Sequence, residues 1–149
     1  MKVQLFVPPG GYFAERWSKG STMPPLGILS IAAVLEKEGV PVEVVPADVL
    51  GMGWKDVAAA IRRFEPDIVG VTSTTENRFQ SFDLIRLAKK TRPSALTVIG
   101  GPHASMAAED TLAHLPELDI AVRGEGERTL LELCRVLDGK LDPARAADV

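Results

Sequence analysis

Ile68-Val69-Gly70-Val71, running directly into Thr72-Ser73-Thr74-Thr75, is the stretch that decides the fold. Its four small or branched apolar residues show no polar alternation. That pattern belongs to a strand covered on both faces, as in a parallel sheet. Glu65-Pro66-Asp67 breaks the chain before it. After it the spacing predicts a helix from Asn77 to Thr91, with Phe82, Ile85 and Ala88 apolar. Lys89-Lys90 lies at the end of that helix, where positive charge complements the dipole, and Pro93 stops it.

The same rhythm extends in both directions. Upstream, Lys2 to Val7 reads as a first strand, followed by a loop from Gly10 to Pro25. That loop is about twice the common length, which marks loops with a function. Leu26 to Glu38 is a helix entered through Pro24-Pro25, where a missing N–H costs nothing, and closed by Gly39. It is apolar almost all round, so most of it is expected to be buried. Val40 to Pro46 is a second strand, and Trp54, Val57, Ala58 and Ile61 define a helix to Phe64.

Downstream, Ala95 to Ile99 is a fourth strand leading into Gly100-Gly101-Pro102-His103. A short helix from Met106 to His114 follows, then a strand from Asp119 to Val122. Leu130, Leu133, Cys134 and Leu137 recur at helical spacing in a last helix that Gly139 ends.

Strand and helix therefore alternate five times. Right-handed crossovers make this an α/β fold, a Rossmann-like or flavodoxin-like doubly wound parallel five-stranded sheet with helices on both faces. The expected strand order is 2-1-3-4-5. Residues 1–140 form one domain. Residues 141–149 read as a polar tail or the start of an interdomain linker.

The 149 residues suffice for one core. A formal net charge of -3 gives no footprint for nucleic acid, and no apolar run is long enough to span a bilayer. One cysteine, Cys134, allows no intrachain disulfide and no Cys-based zinc or iron–sulfur site built from this chain alone. A cytoplasmic protein is the expectation.

Sheets of this kind bind ligands beyond the carboxyl ends of their strands. The loops that converge there are Pro8 to Pro25, Thr72 to Glu76, Gly100 to Ala104 and Arg123 to Glu127. The last three offer hydroxyls on Thr72, Ser73, Thr74 and Thr75, and bare backbone at Gly100, Gly101, Gly124 and Gly126. Such surfaces suit a bulky neutral ligand better than a small anion. The simpler reading is that the threonines cap a helix and the glycines serve turns. No catalytic set emerges: the Gly-x-Gly-x-x-Gly, P-loop and Gly-x-Ser-x-Gly patterns are absent. His114 reads as a surface residue, and His103 as a loop histidine, a residue that more often makes a structural hydrogen bond than ligates a metal.

Taken together, Pro24-Pro25-Leu26-Gly27-Ile28-Leu29 with its helix to Gly39, Pro66-Asp67-Ile68-Val69-Gly70, Gly100-Gly101-Pro102-His103-Ala104 and Arg123-Gly124-Glu125-Gly126-Glu127 closely resemble the cobalamin-binding domain that precedes the barrel of cobalamin-dependent radical SAM enzymes. The resemblance runs to about Leu141. It implies a cobalamin on the carboxyl edge of the sheet, with its nucleotide tail between the loops after strands three and four. Pro24, Pro25, Leu26 and Gly27 then match cofactor-binding positions. Thr72, Ser73, Thr74 and Thr75 would face the tail, and the Gly100-Gly101 pair, with Pro102 and His103 at the rim, would leave it room. Arg123, Gly124, Glu125 and Gly126 would close the far side.

Relatives of the methionine synthase and mutase type carry D-x-H-x-x-G after strand one, and the histidine ligates cobalt. Counted back from Gly27, those positions are Thr22 and Pro24. The resemblance thus implies cobalt with no histidine from this motif, left open below or covered by Tyr12, Arg16 or Trp17. The family's C-x-x-x-C-x-x-C cluster motif is missing, so S-adenosylmethionine and the iron–sulfur cluster would belong to a partner domain, in cis or trans, with methyl transfer the implied chemistry. The alternatives are a flavodoxin-like domain for another flat cofactor or a nucleotide, and a degenerate module that serves only as an interaction surface.

Overall fold

In a computed structural model, residues 1–10 and 24–140 are described. The elements, in chain order, are β1 (Val3–Val7), α1 (Leu26–Lys37), β2 (Val42–Pro46), α2 (Trp54–Phe64), β3 (Ile68–Thr72), α3 (Arg78–Thr91), β4 (Leu96–Gly100), α4 (Pro102–His114), β5 (Ile120–Ala121) and α5 (Glu127–Leu137). All four strand pairings are parallel, and the order is β2-β1-β3-β4-β5. This is the doubly wound sheet expected from the alternation.

The period of two along each strand sorts the core into two layers. Phe6, Val69, Val71 and Ile99 pack with α2, α3 and α4 residues such as Val57, Ile61, Leu84 and Ala104. Val3, Leu5, Ile68 and Val98 pack on the other side with Ile28 and Leu35 of α1 and Leu130 and Cys134 of α5. The uniform apolar character of β3 is explained, because Ile68 and Val69 serve opposite layers and both are fully buried.

Three expectations are corrected. First, α1 is not mostly buried: Leu26 is 69% and Leu29 40% exposed, and only Ile28 and Leu35 are buried. One side of a helix lies on the sheet, and apolar composition does not enlarge that side.

Second, α4 begins at Pro102, four residues before Met106. Pro102 stands at the first helical position, where its fixed φ is already helical. Gly101, with φ +95°, makes the turn from strand to helix in one residue. The residue Ala107 is non-helical (φ -131°, ψ 32°), which kinks α4 near the helix start read from sequence.

Third, β5 is two residues long, not four. Its entry is held by side chains as well as by backbone, where the Asp119 N–H donates to the Thr97 carbonyl at 3.2 Å. The Thr97 backbone N–H donates to Asp119 Oδ2 at 2.7 Å, and Thr97 Oγ1 donates to the Glu117 carbonyl at 2.6 Å. Lys89 Nζ lies 2.6 Å from the same Asp119 oxygen. The glycine stops of α1 and α5 are as read: Gly39 and Gly139 have φ of +74° and +68°.

Candidate functional site

A cavity of about 120 Å³ opens between α1, α5 and the sheet, toward the carboxyl edge. Its floor follows from strand register. Leu5 pairs with Gly70, and Gly70 with Val98, so the three lie in one row on the α1/α5 face. Gly70 lowers the middle of that row. A Cβ there would come within 2.7 Å of Leu5 Cδ2, so any larger residue would push Leu5 outward. The next row toward the edge is Thr72 opposite Gly100. Glycine at positions 70 and 100 thus leaves an open track down this face of β3 and β4.

Helix α1 walls the cavity with Gly27, Ile28 and Ile31, and α5 with Leu130. Gly126, before α5, lets the helices close up: its Cβ would sit 2.9 Å from Ile31 Cδ1. Gly27 has no such reason. It is in the first turn of α1, its φ is not left-handed, and among the described residues a Cβ would meet no atom within 4 Å beyond its own helix backbone. Packing among the described residues does not require glycine there, although glycine costs helix stability. The missing side chain leaves space at the cavity wall.

The loop after β5 roofs the cavity with Gly124, Glu125 and Gly126. The Gly124 N–H donates to Ser105 Oγ at 2.9 Å, which ties this loop to α4 across the sheet edge. Glu127 opens α5. Its carboxyl is held below the usual carboxylate range by the Ser30 hydroxyl first, and by the Glu127 and Gly126 N–H groups, against a small burial effect. The side chains with polar groups that line the cavity are Thr72, Glu125 and Glu127, and no described lining residue is Lys or Arg.

The residues expected to gather at one site separate into two groups. Gly27, Thr72, Gly100, Gly101, Gly124, Glu125 and Gly126 line the cavity. Pro24, Pro25, Leu26, Pro102 and Arg123 do not; the Pro25 carbonyl instead accepts from the Leu29 N–H at 3.1 Å and starts α1. Ser73 is fully buried, and its N–H donates to the Gly100 carbonyl at 2.8 Å. The Thr74 N–H donates to Asn77 Oδ1 at 2.8 Å, and Thr74 Oγ1 accepts from the Asn77 N–H at 3.4 Å. The four-hydroxyl row therefore presents only Thr72 to the cavity, and Thr74 helps start α3.

His103 belongs to the first turn of α4. Its N–H donates to the Ser73 carbonyl at 3.0 Å, and Nδ1 lies 3.5 Å from Thr75 Oγ1. Its ring stacks obliquely on Phe82, 6.0 Å between centroids. His114 is exposed on α4. Among the described residues no cluster of three His, Cys, Asp or Glu is placed to hold a metal ion. Tyr12, Phe13, Arg16, Trp17 and Thr22 lie outside the described residues.

Sequence reasoning missed the cavity's apolar lining, Leu5, Ile28, Ile31, Val98 and Leu130, and also Gly70 and Ser105. The signal for Gly70 was present: a glycine inside a strand marks a close approach.

The fold and this cavity define a parallel α/β cofactor-binding domain. Residues 18–134 match the B12 binding domain model, and the chain belongs to that family. Over 137 residues it is 35% identical to an uncharacterized methyltransferase, PH0819, of Pyrococcus horikoshii, covering 92% of this chain and 29% of that protein.

Among solved structures, the cobalamin-dependent S-adenosylmethionine radical enzyme OxsB, with aqua-cobalamin and S-adenosylmethionine bound, shares the fold at a TM-score of 0.78. It is 20% identical and covers 96% of this chain and 20% of that one. The radical S-adenosylmethionine methyltransferase TsrM of Kitasatospora setae also gives 0.78 at 21% identity, covering 97% and 27%. The chain thus spans less than a third of these proteins. No helix among the described residues is long and apolar enough to cross a membrane.

Proposed function

We propose that this domain binds cobalamin with its nucleotide arm in the α1/α5 cavity and its base off cobalt. In this reading it presents the corrin to a radical SAM domain elsewhere in the protein. The observation that carries the proposal is the glycine-floored cavity that opens at the carboxyl edge beside Gly27, whose missing side chain no contact among the described residues explains. Gly70 and Gly100 hold the track open, Thr72 supplies a hydroxyl at its side, and the Gly124–Gly126 loop covers it. Thr22 and Pro24 occupy the positions where D-x-H-x-x-G has Asp and His, so that motif supplies no cobalt ligand. The remaining expected positions, Pro24 to Leu26, Ser73 to Thr75, Pro102, His103 and Arg123, act in this reading at the edge or by holding the cavity residues in place.

Cobalamin, when bound, supplies a cobalt centre able to carry a methyl group. This chain's own residues shape and exclude: they seat the arm, keep water from the apolar track and fix the ring at the edge. S-adenosylmethionine and an iron–sulfur cluster fall to the partner domain, because one cysteine cannot hold a cluster. Cytoplasm fits this reading, since a lone buried thiol has no disulfide to form.

The charge of the cavity favours cobalamin over a flavin nucleotide or a free nucleotide. Its rim carries Glu125 and Glu127 and, among the described residues, no lining cation, which disfavours a phosphate monoester dianion.

Thermal unfolding with hydroxocobalamin and with flavin mononucleotide tests the proposal. A ligand at 100 times its Kd stabilises by about 2.7 kcal/mol, which raises Tm by several degrees. Hydroxocobalamin is expected to do so and flavin mononucleotide is not. No shift with millimolar cobalamin overturns the proposal.

A further inference from the structure

We propose that Ser105 is a latch on the cavity roof: its hydroxyl holds the Gly124 loop down and sets how fast cobalamin enters and leaves. This rests on the assignment of the cavity to cobalamin. The loop leaves the sheet after Val122, whose N–H donates to the Ile99 carbonyl at 2.8 Å. It then passes over the carboxyl edge to α5, and its Gly124, Glu125 and Gly126 line the cavity. Arg123, Gly124 and Glu125 are exposed. The Glu125 carbonyl accepts from Thr129 Oγ1 at 3.5 Å, so the loop leans on the helix that follows it. Among the described residues, the bond from the Gly124 N–H to Ser105 Oγ, at 2.9 Å, is the one hydrogen bond from Arg123–Glu125 to any element other than α5.

The other half of the latch is fixed to the sheet. Ser105 lies in the first turn of α4, before the break in helical geometry at Ala107. In that turn the His103 N–H donates to the Ser73 carbonyl, and the Ser105 N–H to the Gly101 carbonyl, both at 3.0 Å. Ser73 and Gly101 directly follow β3 and β4, so Ser105 stays in place when the loop lifts. Helix stability does not ask for serine here, since alanine is the better helix former. A neutral hydrogen bond in a solvated place shifts an open–closed equilibrium by roughly two- to ten-fold. That keeps the roof down most of the time and still lets it lift. Both partners belong to the chain, so the bond is available with and without the cofactor. An interaction made equally in both states shifts no binding equilibrium. Its loss therefore speeds entry and exit together and changes affinity little.

The test compares wild type, Ser105→Ala and Ser105→Thr. Uptake of hydroxocobalamin is followed by stopped-flow absorbance. Release is followed by chasing bound radiolabelled hydroxocobalamin with an unlabelled excess. In Ser105→Ala both rates should rise roughly two- to ten-fold, with Kd within about two-fold of wild type and Tm unchanged or slightly higher. Ser105→Thr keeps the hydroxyl and should restore the wild-type rates. Without cobalamin, amide hydrogen exchange at Gly124 should accelerate in Ser105→Ala and not in Ser105→Thr. An unchanged release rate in Ser105→Ala overturns the latch. So does a Kd weakened in step with release, which would make Ser105 part of the binding surface rather than its gate. If the wild-type chain takes up no cobalamin, the assignment of the cavity has failed and the gate with it. Unaltered exchange at Gly124 overturns the latch in either case.

Discussion

The carbonyl oxygen of Ser73 lies 2.8 Å from the point a Cβ on Gly101 would occupy. The space that glycine leaves at 101 is therefore filled by the protein's own backbone, where β3 meets α4. The neighbouring Gly100 is different: its nearest contact would be Val122 Cβ at an ordinary 4.0 Å. Both glycines line the cavity, but Gly101 also joins two elements, and its own space is closed to a side chain.

Gly101→Ala is thus a stability variant. Its backbone, φ +95° and ψ -177°, lies in a region almost confined to glycine, and holding another residue there costs about 1–3 kcal/mol. The clash with Ser73 adds to this. Chemical denaturation should show a loss of about 2–4 kcal/mol. A wild-type midpoint would mean that the α4 entry is not built as described.

Gly27→Leu should behave in the opposite way. Leucine favours helix by up to about 1 kcal/mol over glycine, and less in a first turn. No atom of the described residues stands where its Cβ goes. Tm should hold or rise slightly, while affinity for cobalamin falls about ten-fold or more. Unchanged affinity would remove Gly27 from the cofactor surface.

Asp119 gives the fold a pH dependence. Partial burial raises its pKa, and this is outweighed by hydrogen bonds from Lys89 and Thr97 and by the Lys89 charge, leaving it lowered. A carboxyl with a lowered folded pKa adds stability above its unfolded pKa near 3.8, and that stability is lost as pH falls through the folded value. The pair is partly solvated, so screening limits it to about 1 kcal/mol. Asp119→Asn should cost about that much at pH 7 and less in acid, once the carboxyl is protonated. Equal cost at both would show that the charge is immaterial.

Cys134 reports on the packing of α1 against α5. Burial, with the nearby Asp138 charge, raises its thiol to about 11. Reaction with iodoacetamide at pH 8 should follow unfolding of the chain, with native protein unlabelled over hours. Fast labelling of the native state would contradict the buried position.

Much of this was legible in the sequence. The uniform apolar run Ile68–Val71, between a Pro66 break and a helical period, implied a parallel strand, and the alternation on either side implied the order. The position of Gly27 and the loop glycines followed from the resemblance. The cavity floor was not legible. Leu5, Gly70 and Val98 share a row only through the β1–β3–β4 register, and no local signal carries that. Nor could composition show that Ser73 faces inward, that Leu26 and Leu29 face out, or that β5 is held by the Asp119 side chain. Each depends on a neighbour distant in sequence.

The most direct measurement is the visible spectrum of the chain after incubation with hydroxocobalamin and gel filtration. About one cobalamin per chain should be retained, with a base-off spectrum. No retained cobalamin, or retention with the base still on cobalt, would contradict it.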